Sequence, residues 1–166
     1  MEIERQFLVE KLPPLPEKFA FLAQGYISLE PEIRIRQIGE SQYFLTVKRG
    51  AGLVREEWET AISFQEFGNL KERLYPGTCM IRKKRYRLPL PDGLIAELHV
   101  HAGHLMGFNY VEVEFPDVES AQAFIPPSWF GREVTEDARF SYGLLAQENG
   151  LEILQQILQK EHINDQ

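Results

Sequence analysis

The chain is nearly devoid of cysteine. Cys79 stands alone among 166 residues, which excludes an intrachain disulfide and any cysteine-rich zinc site and fits a reducing compartment. Long apolar runs are missing too. Met1 is followed at once by acids and a strand pattern instead of a basic segment and an apolar signal core, and no stretch could span a bilayer. A cytoplasmic location is the expectation. Nor is there a surplus of positive charge: 18 Lys and Arg face 25 Asp and Glu, for a formal net charge of -7. Neither nucleic acid nor anionic membrane is therefore favoured as a partner, and any polyanion must be met by a local basic cluster. Internal repeats and low-complexity tracts are absent. The length suits one well-buried domain, and 43% hydrophobic with 26% charged residues argues against extended disorder.

What the sequence does contain is charge in strict alternation. In Glu2-Ile3-Glu4-Arg5-Gln6-Phe7-Leu8-Val9, successive side chains of a strand point to opposite faces, so Glu2, Glu4 and Gln6 share one face. Ile3, Phe7 and Val9 share the other, with Arg5 its one polar exception. The same spacing returns in Arg34 and Arg36, Thr46 and Lys48, Glu57 and Glu59, Lys83 and Arg85, Glu97 and His99, and Glu112 and Glu114. One such strand would be a half-solvated sheet. A whole series describes the lining of one charged cavity.

Turn signals divide the chain accordingly. Pro13, Pro14 and Pro16 mark a loop over residues 10–18. Strand patterns follow over 24–29, 32–38, 42–48 and 55–62, separated by Glu30-Pro31, Gly39-Glu40-Ser41 and Gly50-Ala51-Gly52. Ser63 and Glu66 form a capping-box signature for a helix over 64–75. The basic run Arg82–Arg87 reads as a solvated strand edge in preference to a nucleic-acid patch. Two more strands are expected over 94–100 and 110–115. Asp117 should cap a helix that Pro126-Pro127 stops, and Thr135-Glu136-Asp137 should open another, running to about Ala146. Leu151, Ile153, Leu154, Ile157 and Leu158 give an amphipathic tail. We therefore divide the chain into a domain over 1–146 and a helical tail over 147–166.

About eight antiparallel strands with few helices make an all-β-dominated α+β chain, and closure into a barrel would remove its exposed edges. The polar faces then meet in the lumen. A dry interior could not hold so many charges, since desolvating each costs several kcal/mol, so the lumen is wet or filled by ligand. Clustered carboxylates call for a divalent cation such as magnesium or manganese, and clustered Arg and Lys for an anion whose oxygens match the guanidinium fork.

These segments also carry a family likeness. The Glu2–Val9 strand resembles the E-x-E-x-K opening of the CYTH superfamily, the triphosphate tunnel metalloenzymes. Gln24-Gly25-Tyr26, Ile33–Arg36, Tyr43–Lys48, Glu56–Glu59, Lys83–Tyr86, Val111–Phe115 and Trp129–Thr135 match later family segments in order. The likeness is greatest to the small bacterial inorganic triphosphatases. It implies an eight-stranded antiparallel tunnel that binds a triphosphate-bearing small molecule with Mg2+ or Mn2+, with a homodimer as a candidate assembly. By position, Glu2, Glu4, Glu112 and Glu114 would be metal ligands, and Arg34, Arg36, Lys48, Arg85 and Arg139 would grip phosphate. Lys83 and Tyr26 resemble a lysine–tyrosine pair that assists hydrolysis, and Glu57 and Glu59 would orient the attacking water or hold a second metal.

Three positions depart from the pattern. Gln6 stands where the opening motif has lysine, His99 where the family usually has an acid, and Ser141 where a lysine follows Arg-Tyr. His99 could serve as a neutral metal ligand or as a hydrogen-bonded lumen residue, and we prefer the second. Metal-dependent triphosphate hydrolysis is the leading expectation. A polyphosphate- or nucleotide-binding protein with weakened catalysis and a CYTH-type adenylate cyclase are the alternatives.

Overall fold

The computed structural model of the protein describes residues 1–164. Eight strands, β1 (Glu2–Leu8), β2 (Ala20–Leu29), β3 (Glu32–Ile38), β4 (Gln42–Arg49), β5 (Val54–Ala61), β6 (Ile81–Pro89), β7 (Ile95–His101) and β8 (Asn109–Glu114), close into a barrel in the order β1-β5-β4-β3-β2-β6-β7-β8. Every neighbouring pair is antiparallel. The expected barrel is borne out. Strands β2 to β5 form a meander, and α1 (Phe64–Lys71) then carries the chain across to β6, which pairs with β2. The remaining helices are α2 (Val118–Ala123), α3 (Tyr142–Leu145) and α4 (Gly150–Asn164). None of the described helices is long and apolar enough to cross a membrane.

The basic run corrects the sequence reading. It lies on β6, hydrogen-bonded to β2 on one side and β7 on the other, so it is not an edge. Alternation sends Lys83 inward, where it is buried, and Arg82 outward, while Arg87, on the same face as Lys83, is exposed. The helix starting at Phe64 is also shorter than its apolar spacing suggests. Its capping box forms as expected, with the Glu66 N–H donating to Ser63 Oγ at 3.0 Å and the Ser63 N–H to Glu66 Oε1 at 2.9 Å, but it stops at Lys71. The stretch after Thr135 is two pieces instead of one helix. A single 3-10 turn spans Ala138–Phe140, and Ser141, with φ -66° and ψ 143°, breaks the helical path and starts α3.

The seam between β1 and β5 is short, with only Glu2↔Arg55 and Ile3↔Val54 in register. Beyond it, residues 131–134 take over the free edge of β1. The Leu8 N–H donates to Arg132 O at 2.8 Å, the Val134 N–H to Gln6 O at 2.8 Å and the Gly131 N–H to Leu8 O at 2.7 Å. A Cβ on Gly131 would fall 2.7 Å from Leu8 O, so only glycine permits this approach. Arg5, the exception on the apolar face, holds the arrangement from outside. Its guanidinium forks onto Glu133 at 2.7 and 2.8 Å and also donates to the Ala121 and Phe124 carbonyls that end α2.

Two apolar clusters flank the polar lumen. One lies outside the wall, where Phe7, Leu98, Val111 and Val113 pack against Phe115, Ala121 and Phe130. The other plugs one end of the barrel. There the inward-facing Leu8, Tyr26, Ile81 and Tyr110 meet Leu105, Phe108, Phe140, Tyr142 and Leu145, and Leu154 of α4 closes over them at 2% exposure. The lumen is thus a cup with an apolar floor. Leu154→Ala should cost about 2–4 kcal/mol by opening a cavity in the floor, which lowers Tm by about 2–4 °C per kcal/mol for a chain of this size. Thermal denaturation checks this, and an unchanged Tm would mean that α4 does not secure the plug.

Candidate active site

Register decides which side chains meet. Across β1 and β8, Glu4 lies opposite Glu114 and Gln6 opposite Glu112, while across β7 and β8 Glu97 lies opposite Glu112. On the far wall, Arg34 lies opposite Tyr26 and Thr46, and Lys48 opposite Glu57 and Glu32. The faces enclose a cavity of about 220 Å3. The four candidate metal ligands Glu2, Glu4, Glu112 and Glu114 line it. So do Glu57 and Glu59, the clamp candidates Arg34, Arg36, Lys48 and Arg85, and Tyr26.

Two candidates lie elsewhere. Arg139 points away from the lumen and is spent on Asp137, at 2.6 and 2.8 Å, and Glu161, at 2.6 Å. The 3-10 turn that carries it runs outside the floor, so it is removed from the clamp. Lys83 faces the barrel interior but is not on the cavity lining; it is buried at 1% exposure, its Nζ has no hydrogen-bond partner, and burial, then Arg36, lowers its pKa well below the ordinary lysine range. Nor is it hydrogen-bonded to Tyr26, whose hydroxyl oxygen accepts from Gln24 Nε2 at 3.0 Å.

The acids sit under strain of charge. Burial, followed by repulsion from Glu112, raises the Glu4 carboxyl well above the ordinary range, although Gln6 Nε2 donates to it at 2.7 Å. Burial also raises Glu114, helped by Glu2 and Glu97. Glu2 and Glu57 divide a proton unequally. The hydrogen bond to Glu2, then burial, pushes Glu57 up to about 7. Burial opposes ionisation of Glu2 as well, but the bond from Glu57 and Lys48 Nζ at 3.0 Å bring it down to about 2. Glu59 accepts from Thr46 Oγ1 at 2.8 Å.

The cationic wall is crowded in the same way. Burial, then Arg34, lowers Arg36 to about 10. Arg34 Nε and Arg85 Nε are buried without hydrogen-bond partners. His99 is not the hydrogen-bonded residue expected from the sequence: neither ring nitrogen has a partner, and Nε2 lies 3.5 Å from Glu112 Oε1. Burial, followed by Lys83, drives its pKa well down, so the imidazole is neutral. Gln6 and Ser141 do line the cavity. Gln6 bridges to Glu4 where a lysine would have neutralised it, and Ser141 Oγ accepts the Leu144 N–H at 3.4 Å.

Among the described residues, no three acidic or imidazole side chains converge as a finished metal cage. The donor set nevertheless fits a hard divalent cation. It is all carboxylate oxygen, it includes acids whose mutual repulsion a cation would relieve, and magnesium commonly takes one or two carboxylates together with substrate phosphate.

Glu32, Arg55, Tyr110 and Tyr142 also line the cavity and were not picked out from the sequence. Three of them carried a signal. Glu32 precedes Arg34, Arg55 precedes Glu57, and Tyr110 precedes Glu112 by two residues, the spacing that puts side chains on one face of a strand. Tyr142 belongs to the plug and had no such signal.

The family profile described as CYTH domain matches residues 1–139. The chain belongs to the CYTH family. It is similar to an inorganic triphosphatase of Nitrosomonas europaea, 46% identical over 150 residues that cover 87% of this chain and 96% of the relative. It is also similar to an inorganic triphosphatase of Acetivibrio thermocellus, 31% identical over 143 residues that cover 84% and 88%. A crystal structure of an inorganic triphosphatase superposes with a TM-score of 0.65 at 43% identity, covering 88% of this chain and 94% of that one. Within this CYTH barrel the acid pair gives a pH signature. Between pH 4.5 and about 7 the folded protein keeps a proton on Glu57 that the unfolded chain has released, so stability from this group falls as pH rises through that window. Glu57→Gln removes the loss. In chelator, Glu57→Gln should melt higher than wild type at pH 8 and equally at pH 5. With Glu57 half exposed, solvent screening limits the difference to about 1 kcal/mol, or about 2–4 °C. Parallel melting curves at the two pH values would contradict the proton assignment.

Proposed function

We propose that this protein hydrolyses inorganic triphosphate or a related triphosphate, with Mg2+ or Mn2+, in the cytoplasm. The observation that carries the reading is the pair of buried, partnerless guanidinium nitrogens, Arg34 Nε and Arg85 Nε, facing an acid cluster across one small cavity. An anion of high charge density entering the cavity would satisfy these donors and relieve the repulsion that lowers Arg36. The two relatives named as inorganic triphosphatases, at 46% and 31% identity, support the same substrate class.

Each group then has a task. Arg34, Arg36, Lys48 and Arg85 grip phosphate oxygens, the guanidiniums through paired donors. Glu2, Glu4, Glu112 and Glu114 would hold a divalent cation, which when bound neutralises phosphate charge as it builds toward the transition state. Glu57 and Glu59, on the wall next to Lys48, orient the attacking water. Water adds to the terminal phosphorus, the bridging P–O bond breaks, and phosphate leaves with diphosphate as the second product. Little covalent chemistry is asked of the protein, so positioning and charge account for the rate. Gln6 and Ser141 leave the clamp two cations lighter than the family pattern.

The deciding assay is phosphate release from inorganic triphosphate, ATP and thiamine triphosphate with magnesium and with manganese. We expect inorganic triphosphate to be the best substrate and chelator to abolish turnover. Tight binding without phosphate release would reject hydrolysis in favour of a binding protein. Glu112→Gln keeps the shape but loses an anionic ligand, so turnover should fall at least about tenfold, equivalent to about 1.4 kcal/mol. Arg36→Lys keeps the charge but loses the fork, so triphosphate affinity measured by calorimetry should drop about tenfold or more while Tm holds. Equal affinity would remove Arg36 from the clamp.

A further inference from the structure

Three neighbouring strands, β8, β1 and β5, build the acid side of the cavity. They line it with carboxylates, Gln6, Tyr110 and a single cation, Arg55. Arg55 lies opposite Glu2 across the β1–β5 seam and shares the inward face of β5 with Glu57 and Glu59. A guanidinium set among carboxylates ordinarily forks onto one of them. Arg55 does not: among the described residues its side chain makes no hydrogen bond and no ion pair. The acids beside it are already engaged, Glu2 by Lys48 Nζ at 3.0 Å and by Glu57, and Glu4 by Gln6 Nε2 at 2.7 Å. On the opposite side the clamp cations do have partners. Lys48 holds Glu2, Arg36 Nε donates to Gln24 Oε1 at 3.2 Å, and Arg85 lies 3.8 Å from Glu97.

The backbone that delivers Arg55 is pinned on both sides. The Leu53 N–H donates to Glu136 Oε1 and the Glu4 N–H to Leu53 O, both at 3.0 Å. The charge of Arg55 also reaches the floor of the cup. There burial, then Glu112, raises the Tyr110 phenol well above its ordinary range, and Arg55 opposes the rise.

We infer that Arg55 is a further substrate-binding residue, one that grips the triphosphate from the acid side of the cavity while Arg34, Arg36, Lys48 and Arg85 grip it from the other. The inference rests on the triphosphatase reading. Phosphate oxygens are set all round each phosphorus, so an anion clamped on one wall turns its remaining oxygens toward Glu2, Glu4, Glu112 and Glu114. A divalent cation relieves that repulsion at one point, and a chain of three phosphates presents oxygens beyond it. A guanidinium offers five N–H donors in a fixed fork. Those of Arg55 have no side-chain partner to leave when phosphate arrives. Two residues separate Arg55 from Glu57, so the fork and the carboxylate that orients water stand side by side on one strand.

Binding and turnover are read separately in the test. Imidotriphosphate carries bridging nitrogens in place of bridging oxygens and resists hydrolysis, so it serves as the calorimetric probe with magnesium present. Arg55→Ala should weaken its binding at least about tenfold, and Arg55→Lys, which keeps the charge but loses the fork, about three- to fivefold. Arg82→Ala removes the same charge from the exposed outer face of β6 and should change affinity by less than about twofold. Mn2+ binding without triphosphate, followed by electron paramagnetic resonance, should be as tight or tighter in Arg55→Ala, because a cation has left the neighbourhood of the acids. Unchanged imidotriphosphate affinity in Arg55→Ala, or an equal loss in Arg82→Ala, would overturn the inference and leave hydrolysis standing. So would weaker Mn2+ binding, which would show that Arg55 shapes the acid cluster instead of meeting phosphate. A wild type that binds imidotriphosphate but releases no phosphate from inorganic triphosphate would overturn hydrolysis alone, and the affinity losses of the Arg55 variants would still support its binding role. A wild type that binds no imidotriphosphate would overturn both.

Discussion

Repulsion between like charges held in one confined volume is the constraint on which this structure turns. Glu4 is raised by burial and Glu112, Arg36 is lowered by burial and Arg34, and the two crowds face each other across a narrow lumen. The barrel keeps them there because register has period two. A slip by one residue in any wall strand would exchange charged and apolar faces and break both the lumen and the outer cluster. The short β1–β5 seam is where such a slip would start. That seam is reinforced by residues 131–134, by the Arg5 fork onto Glu133, and by a glycine that lets two backbones touch.

Much of the site follows from local rules, and the exceptions show where those rules end. Alternation of side chains is fixed by backbone geometry, so Glu2 and Glu4, Arg34 and Arg36, and Glu112 and Glu114 are legible as one lining in the sequence itself. The same rule, applied two residues further, reaches Glu32, Arg55 and Tyr110. It could not reach Tyr142, which enters the lumen from the plug because Ser141 breaks the helix and turns α3 under the floor. Nor could it place Arg139, where nearby Asp137 and distant Glu161 compete for the guanidinium and draw it outward. The run on β6 looked like an edge because charge was its only visible property. Only the β2–β6 pairing, made after the excursion through α1, turns it into interior wall.

The departures from the family pattern are absorbed differently. At position 6 an amide replaces an expected cation and donates to Glu4, satisfying the carboxylate without neutralising it. At position 99 an imidazole replaces an acid and stays neutral in a place where Lys83, Arg36 and Arg85 would all oppose a further positive charge. At position 141 the hydroxyl serves the backbone of α3. In each case charge is given up while polarity is kept.

The apolar floor has a consequence for geometry along the axis. Leu8, Tyr26, Ile81 and Tyr110 are stoppered by Phe140, Tyr142 and Leu145, so a linear anion cannot thread through and must enter end-on by the mouth. Depth then acts as a ruler. On the proposed reading, one terminal phosphate would be seated deepest and each additional unit further up among the Arg and Glu rows. A longer chain, or one carrying a bulky group, is accommodated only by protruding from the rim.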